Sequence, residues 1–446
     1  MHWPPLYGGA DPARWEDATM IRMIFNQSMG LVFMLIVTFA GDTAKAGLIT
    51  FSSRMNISNM PGFSSFPSVT TIGSNLYLVW QDSVNGDNND IFFSKSTDGG
   101  STWSSPLNLT PTRGSFINDE LTPRIATDGA NLYVTYTFTA SGSPEIFFLK
   151  STDGGSTWST PINISNNSSF SGSPDIITVG NDLYVFWKDR APGAFSLFFS
   201  KSTDGGNTWS TPQFIARDID APPRAATDGT NLYVVWNDNF VPPPNGKFAE
   251  VFFSKSTDGG STWSTPLINI SKSEFAASNS PQIVAIGPNL YVVWFEATPQ
   301  SWEILFSKSI DAGSTWSTPI NISNTPAGSS FWPDITTDGI NLYAVWRDSF
   351  DPTDPQILFS ESTDAGNTWT TPIKVTNPGE HPQIATDGSK LYVFWEAGLP
   401  GLDTDIFLSS ASIPSTAQAV PEPGTLVLFL LGIGGVVGFG YYQRRR

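Results

Sequence analysis

Residues 251–263 read VFFSKSTDGGSTW, a run of β-branched and aromatic residues that breaks at an Asp-Gly-Gly turn and ends on a tryptophan. Such a run, bounded by turn-forming residues, is what a short strand entering a tight turn looks like. The turn recurs as STDGGSTW at 96–103 and 151–158, STDGGNTW at 202–209, SIDAGSTW at 309–316 and STDAGNTW at 362–369. Its six tryptophans stand 51 to 55 residues apart. That is the period of a propeller blade or a solenoid repeat.

Four short segments surround each turn. In one unit they are Arg224–Thr227, Asn231–Trp236, Val251–Ser256 and Thr265–Ser271, the first two joined by a TDGxN turn. No apolar stretch keeps a helical period. The LYVVW-type segment is apolar at nearly every position, as a strand covered on both faces must be. Four antiparallel strands repeated radially predict an all-β propeller. Six turns suggest six blades, but the strands count higher. LYVVW-type strands end at Trp80, Tyr136, Trp187, Trp236, Trp294, Trp346 and Trp395, and the last IFFSKS-type strand is Asp405–Ser410. That last unit lacks both the turn and the outer NIS strand, and a spare NIS stands at Met55–Ser58. Seven four-stranded blades are therefore expected, with the N-terminal strand completing the last and removing the free edges. Six is the alternative.

Composition fits this reading. Of 446 residues, 39 are Gly and 34 Pro, 13% are aromatic and none is Cys. Frequent turns suit short strands, and the missing thiols exclude disulfides and thiolate metal sites. The formal charge of -17 argues against nucleic acid or an anionic membrane surface as a partner of the folded part. Only His2, before the signal, and His381, in the last unit, occur, which rules out histidine-based triads and multi-His metal sites.

The two ends read as addresses. Residues 29–40, MGLVFMLIVTFA, lie between Arg22 and Ala44-Lys45-Ala46 and have the length of a signal peptide, giving a mature start at Gly47. An uncleaved anchor is the alternative, though the run is short for a span. Residues 1–19 resemble neither signal nor fold, so translation could start at Met20 or Met23. The expected organisation is a leader over 1–46, the propeller over 47–413, a linker over 414–424 and a transmembrane helix with an arginine tail over 425–446. Leu426–Tyr442 is apolar and runs into Tyr441, Tyr442 and Arg444–Arg446, which places the tail inside and the main domain outside. With Val420-Pro421-Glu422-Pro423 before it, this end resembles a PEP-CTERM sorting signal. The resemblance implies processing by an exosortase in a Gram-negative bacterium, with display at the surface or release; a permanent single-pass anchor is the alternative.

The repeated turn resembles the Asp box of the BNR-repeat proteins, which include bacterial sialidases, and the resemblance spans nearly all of 49–413. It implies that Asp98, Asp153, Asp204, Asp258, Asp311 and Asp364 are structural and lie away from the ligand face. The Asp can accept amide hydrogen bonds within the turn, and glycine supplies positive φ.

If both turn types share one face, the opposite face carries the variable loops: 110–123, 237–250 and 347–356. Binding usually resides in such loops. Acidic residues recur there at Asp82, Asp189, Asp238, Glu296, Asp348 and Glu396. They could ring the channel mouth and take Ca²⁺ or sugar hydroxyls, or cap their loops and pair with Lys188, Arg124, Arg224 or Arg347. Phe63, Phe66, Phe116, Phe170, Phe240, Trp302 and Trp332 fall on the same loops, as sugar platforms or as loop anchors. The sialidase resemblance implies three arginines on the substrate carboxylate, a Tyr/Glu nucleophile and an Asp acid/base. No FRIP motif is present. The arginines to test are Arg124, Arg224 and Arg347, with Tyr136 as nucleophile and Glu120 or Glu145 as helper. The sequons at Asn56, Asn108, Asn163, Asn269 and Asn321 recur because their strand does, and no glycosylation is read from them. The expectation is an exported, non-catalytic propeller that binds a glycan or matrix polymer. A sialidase-type hydrolase and a purely structural matrix protein are the alternatives.

Overall fold

The computed structural model describes residues 49–84, 88–111, 121–139, 142–191, 194–238, 248–265, 267–273, 276–325, 328–349, 355–398 and 403–414. All fall in the second of two compact units, Ala46–Arg446. The signal peptide, the PEP segment Val420–Pro423, the C-terminal helix, Phe116, Glu120, Phe240 and most of the three long loops lie outside the described residues. Among those described, no helix is long and apolar enough to cross a membrane.

Seven four-stranded antiparallel sheets are described, and they are the predicted blades. Blade 1 holds Ser64–Ile72, Asn75–Val84, Asn88–Ser96 and Leu107–Asn108, from the axis outward. Blade 7 holds Glu380–Thr386, Lys390–Gly398 and Thr404–Ser412, and its outer strand is the N-terminal Met55–Asn56. Ladder register fixes the faces. Leu76 pairs with Ser96 beside both turn types, and Asp82 pairs with Asp90 at the opposite end. The two turn types therefore share one face.

The core lies between blades. Trp80, Trp187, Trp236, Trp294, Trp346 and Trp395 on the second strands are fully buried, as is Tyr136 in the same place. The tryptophan of each turn packs edge-on against a phenylalanine of the preceding blade: Trp158 on Phe93 at 5.2 Å, Trp209 on Phe148 at 5.0 Å, Trp316 on Phe253 at 5.2 Å. Trp103 closes the ring on Phe394 at 5.8 Å. Blade 7 has no such turn, and Phe51 supplies the missing ring against Phe359 at 5.1 Å.

This packing explains the motif letter by letter. Its second glycine is fixed because a Cβ on Gly206 would lie 2.4 Å from the Phe148 ring. The first glycine meets no such wall, so Ala312 and Ala365 replace it at φ 53° and 57°. The lysine of FSKS donates to the next blade's turn, Lys255 Nζ to the Ala312 carbonyl at 2.8 Å and Lys308 Nζ to Ala365 at 2.8 Å. Blade 6 carries Glu361 instead, and the blade after it has no turn to bind. In the NIS strand, Ser58 donates to Asp405 at 2.8 Å and accepts from Ile406 N at 2.9 Å. Thr110 does the same with Asp90 and Ile91 N. The sequon serines and threonines thus knit the outer strand to the third.

In the turn, Asp98 accepts from the Thr102 hydroxyl at 2.6 Å, the Thr102 amide at 2.9 Å and the Ser96 hydroxyl at 2.8 Å. These bonds, the Thr102 hydroxyl first, hold its carboxyl down at about 2. Asp204, Asp258, Asp311 and Asp364 are held at about 2 in the same way, and Asp153 is lowered as well. A depressed folded-state pKa contributes stability above the unfolded value, which is lost as pH falls through the folded one. The melting temperature is therefore expected to drop steeply between pH 4 and about 2. Melts across that window check this, and a flat profile would contradict it.

Candidate functional site

At the end of the barrel opposite the turns, the innermost strands share a feature the repeat reading passed over. They break register at a proline, between Ser65 and Ser68, Gly172 and Asp175, Asn279 and Gln282, Phe331 and Asp334, and Glu380 and Gln383. The residue before the proline has positive φ: Phe66 53°, Thr122 36°, Ser173 55°, Ser280 49°, Trp332 49° and His381 44°. Blade 4 places Pro222 there. Such backbone costs about 1–3 kcal/mol per residue and persists only where surroundings impose it. Here the side chain following the recurring aromatic of the second strand grips the entry of the next blade in blades 1, 2 and 6. Gln81 Oε1 accepts from Leu121 N at 2.7 Å, Thr137 Oγ1 from Ser173 N at 3.1 Å, and Arg347 pairs with Glu380 at 2.6 Å.

These bulges aim their residues at the axis, where they wall a cavity of about 230 Å³. Phe66, Trp332 and His381 line it together with Arg124, Arg224 and Gln282. The positions after the prolines form a polar ring of Ser68, Arg124, Asp175, Arg224, Gln282, Asp334 and Gln383. Arg224 Nε donates to Gln282 Oε1 at 3.0 Å. The ring's two carboxylates, Asp175 and Asp334, are not among the residues that line the cavity. Asp175 accepts from Ala225 N and Asp334 from Ile384 N, both at 2.8 Å, each an amide of the next blade. Asp175 Oδ1 also lies 3.9 Å from Arg124 Nε.

Burial, then the facing charge of Arg224, pushes the Arg124 guanidinium down to about 9, against the pull of Asp175 and Asp334. Burial raises Asp175, and it raises Asp334 to about 6. A raised carboxyl has the opposite sign from the turn aspartates: Asp334 costs stability as pH rises from about 4 to about 6. Two guanidiniums facing one cavity, with no carboxylate on its wall, favour an anion inside it.

On the other side of the cavity, His381 lies 4.3 Å from the Trp332 ring and 5.6 Å from Phe66. Burial alone would lower the His381 pKa. The hydrogen bond and charge of Glu396, with Glu380 behind, instead carry it above its ordinary value.

The sequence candidates separate cleanly. Arg124 and Arg224 meet at the cavity, but Arg347 lies outside its wall, over the Trp332 ring at 5.5 Å. Tyr136 is 1% exposed in the core between blades 1 and 2. Glu145 is buried, bonded to Ser165, and raised by that burial. Of the six acidic candidates none lines the cavity, and all are buried. Asp82, Asp189, Glu296 and Asp348 each accept from a serine across their own blade: Ser64 at 2.5 Å, Ser171 at 2.9 Å, Ser278 at 2.7 Å and Ser330 at 3.0 Å. Asp238 accepts from Glu250 N at 2.8 Å. Glu396 stands one residue earlier after its tryptophan than the others, which turns it to the opposite side of the strand, onto His381. Among the described residues no three Asp, Glu or His side chains come together to hold a metal ion. Lys188 donates to the Asp220 carbonyl at 2.5 Å. Phe66, Trp302 and Trp332 lie within strands rather than loops, Phe170 just precedes one, and Phe63 stands 49% exposed. The six turn aspartates lie on the far face.

Residues 419–446 match the PEP-CTERM protein-sorting motif, so the chain carries an export and sorting signal read by an exosortase. No curated protein sequence matches the chain. Among solved structures, the chain is similar to a PL25 ulvan lyase bound to -[GlcA(1-4)Rha3S]-, with TM-score 0.59, 14% identity, and 80% of this chain and 95% of that one covered. It is also similar to the polysaccharide lyase Uly1 (TM-score 0.53, 11% identity, 80% and 91% covered). A third is an α-L-arabinanase of Penicillium chrysogenum complexed with arabinobiose (TM-score 0.51, 13% identity, 82% and 99% covered). At these identities the likeness is one of fold, and the fold is one that glycan-acting enzymes use.

Proposed function

We propose that this exported propeller is a non-catalytic glycan-binding protein of the cell surface or its surroundings, and that it seats an acidic sugar residue in the axial cavity. One observation carries the reading: in a chain of net charge -17, the residues that line the axial cavity include Arg124, Arg224 and His381 and no carboxylate. A guanidinium pair recognises a carboxylate or sulfate by charge-assisted hydrogen bonds. Trp332 offers a ring face to the sugar's C–H surface. Cavities for drug-sized ligands run from roughly 300 Å³ upward, so about 230 Å³ suits a single sugar ring. Polysaccharide-acting neighbours of the same fold support a glycan as the ligand class. The burial of Tyr136 away from this cavity favours binding over sialidase-type hydrolysis.

The test sets uronic-acid oligosaccharides beside neutral gluco-oligosaccharides in calorimetry, and fluorogenic glycosides, a sialoside among them, in turnover assays. Binding to the acidic series without turnover is expected. Preference for the neutral series would remove the charge argument. Turnover abolished by Arg124→Ala would make the protein a hydrolase.

A further inference from the structure

The aromatic wall of the cavity does not stop at the cavity. Beyond Trp332, Phe331 lies 5.9 Å away, Phe295 lies 5.4 Å from Phe331, and Trp302 lies 5.5 Å from Phe295 and 5.9 Å from Phe331. With Phe66 and His381 on the near side, six rings run unbroken from blade 1 through blades 7 and 6 to blade 5. None of the six is fully buried. Arg347 lies over both Trp332 and Phe331, at 5.5 and 5.8 Å, and steadies their planes.

Comparison among the blades separates scaffold from function. What the fold requires recurs in every blade, as the buried aromatics of the second strands do. The pre-proline position is aromatic in blades 1, 6 and 7, and the position of Trp302 is aromatic again in blade 3, as Phe195, but the positions of Phe295 and Phe331 are aromatic in no other blade. Where blade 5 has Phe295, other blades have Gln81, Thr137, Lys188 or Asn237. Where blade 6 has Phe331, the others have Ser65, Gly172, Asn279 or Glu380. Phe295 and Phe331 are departures from the repeat, in neighbouring blades, and they join Trp302 to the rings of the cavity without a break. Scattered loop anchors would have no reason to line up in this way.

We propose that the row is a track for successive sugars, so that the ligand is a polymer gripped over several residues with one acidic sugar in the axial cavity. The inference rests on the reading that the cavity takes a sugar, and adds that binding extends outward across blades 6 and 5. Flat aromatic faces hold sugar rings without specifying each hydroxyl, which suits a polymer of repeating units.

Calorimetry of the full chain with oligogalacturonides of two to six residues tests it. Affinity is expected to tighten at least tenfold from dimer to hexamer. Trp302→Ala should abolish that gain while leaving dimer affinity within twofold, and Trp302→Phe should restore most of it. Affinity independent of length, or a gain that survives in Trp302→Ala, would overturn the track. Failure of every member to bind protein that melts normally would overturn the cavity reading itself.

Discussion

Removing residues 49–58 is expected to abolish cooperative folding of the propeller, although the segment contributes a strand of only two residues. That segment carries three kinds of closure at once. Met55 and Asn56 pair with Leu408 and Phe407 and cover the outer edge of blade 7. Asn56 and Ser58 both donate to Asp405 at 2.8 Å, leaving its carboxylate satisfied. Ile49 and Ile57 are buried, and Phe51 stands on Phe359 where the other blades use the tryptophan of their turns. Truncating one buried Ile or Phe costs about 2–5 kcal/mol. Several such losses together reach the roughly 5–15 kcal/mol that hold a domain folded. The open edge of blade 7 would then be a template for aggregation. Phe51→Ala alone should lower stability by about 2–3 kcal/mol, the low end of the range because Phe51 is only half-buried. Calorimetric melts decide it, and a truncated chain with an unchanged, cooperative transition would show that blade 7 closes without the N-terminal segment.

Closure of this kind was legible in the sequence because it is a matter of counting. Seven LYVVW-type strands against six turns, with one spare NIS at the front, favour a seventh blade closed by the N-terminal strand over the six-bladed alternative. The candidate site was less legible, and the reason is register. Side chains alternate faces along a strand, so a shift of one position reverses what a residue touches. Glu396 follows its tryptophan directly whereas Asp82, Asp189, Asp238, Glu296 and Asp348 come second, and grouping all six hid that they face different ways. Phe66, Trp332 and His381 reach the axis only because the strand bulges at the following proline. The x-Pro pairs at 66–67, 173–174, 280–281, 332–333 and 381–382 were visible as a recurring pattern, and a proline inside a strand does signal a bulge. Nothing in the letters alone says that the residue before it turns inward. Of the three arginines singled out, those that follow Pro123 and Pro223 line the cavity and Arg347 does not. The net charge hid how they would act, since the field in a small cavity follows its wall more than the whole chain.

Arg224→Ala is accordingly expected to weaken binding of an acidic oligosaccharide by roughly 10–150-fold, the range for losing a charged hydrogen bond of about 1.5–3 kcal/mol. Arg224→Lys should recover only part, because an ammonium cannot form the two parallel bonds of a guanidinium. Arg124→Ala should cost at least as much. The pH dependence follows from His381. Its pKa lies above the usual 6.5, held there against burial by Glu396 and Glu380, with Arg347 opposing. The protonated ring adds a third positive charge to the cavity wall. As pH rises through that raised pKa the charge is lost, so affinity for an acidic ligand must fall with rising pH. A neutral oligosaccharide should show no such trend. Titrations from pH 5.5 to 9 with wild type and His381→Asn check this, the part of the trend lost in His381→Asn being the histidine's and the remainder that of Asp334 near 6 and Arg124 near 9. An acidic ligand whose affinity is flat in pH and unmoved by Arg224→Ala would mean that the cavity charges do not touch it, and the site would then have to be sought on the outer face of the blades.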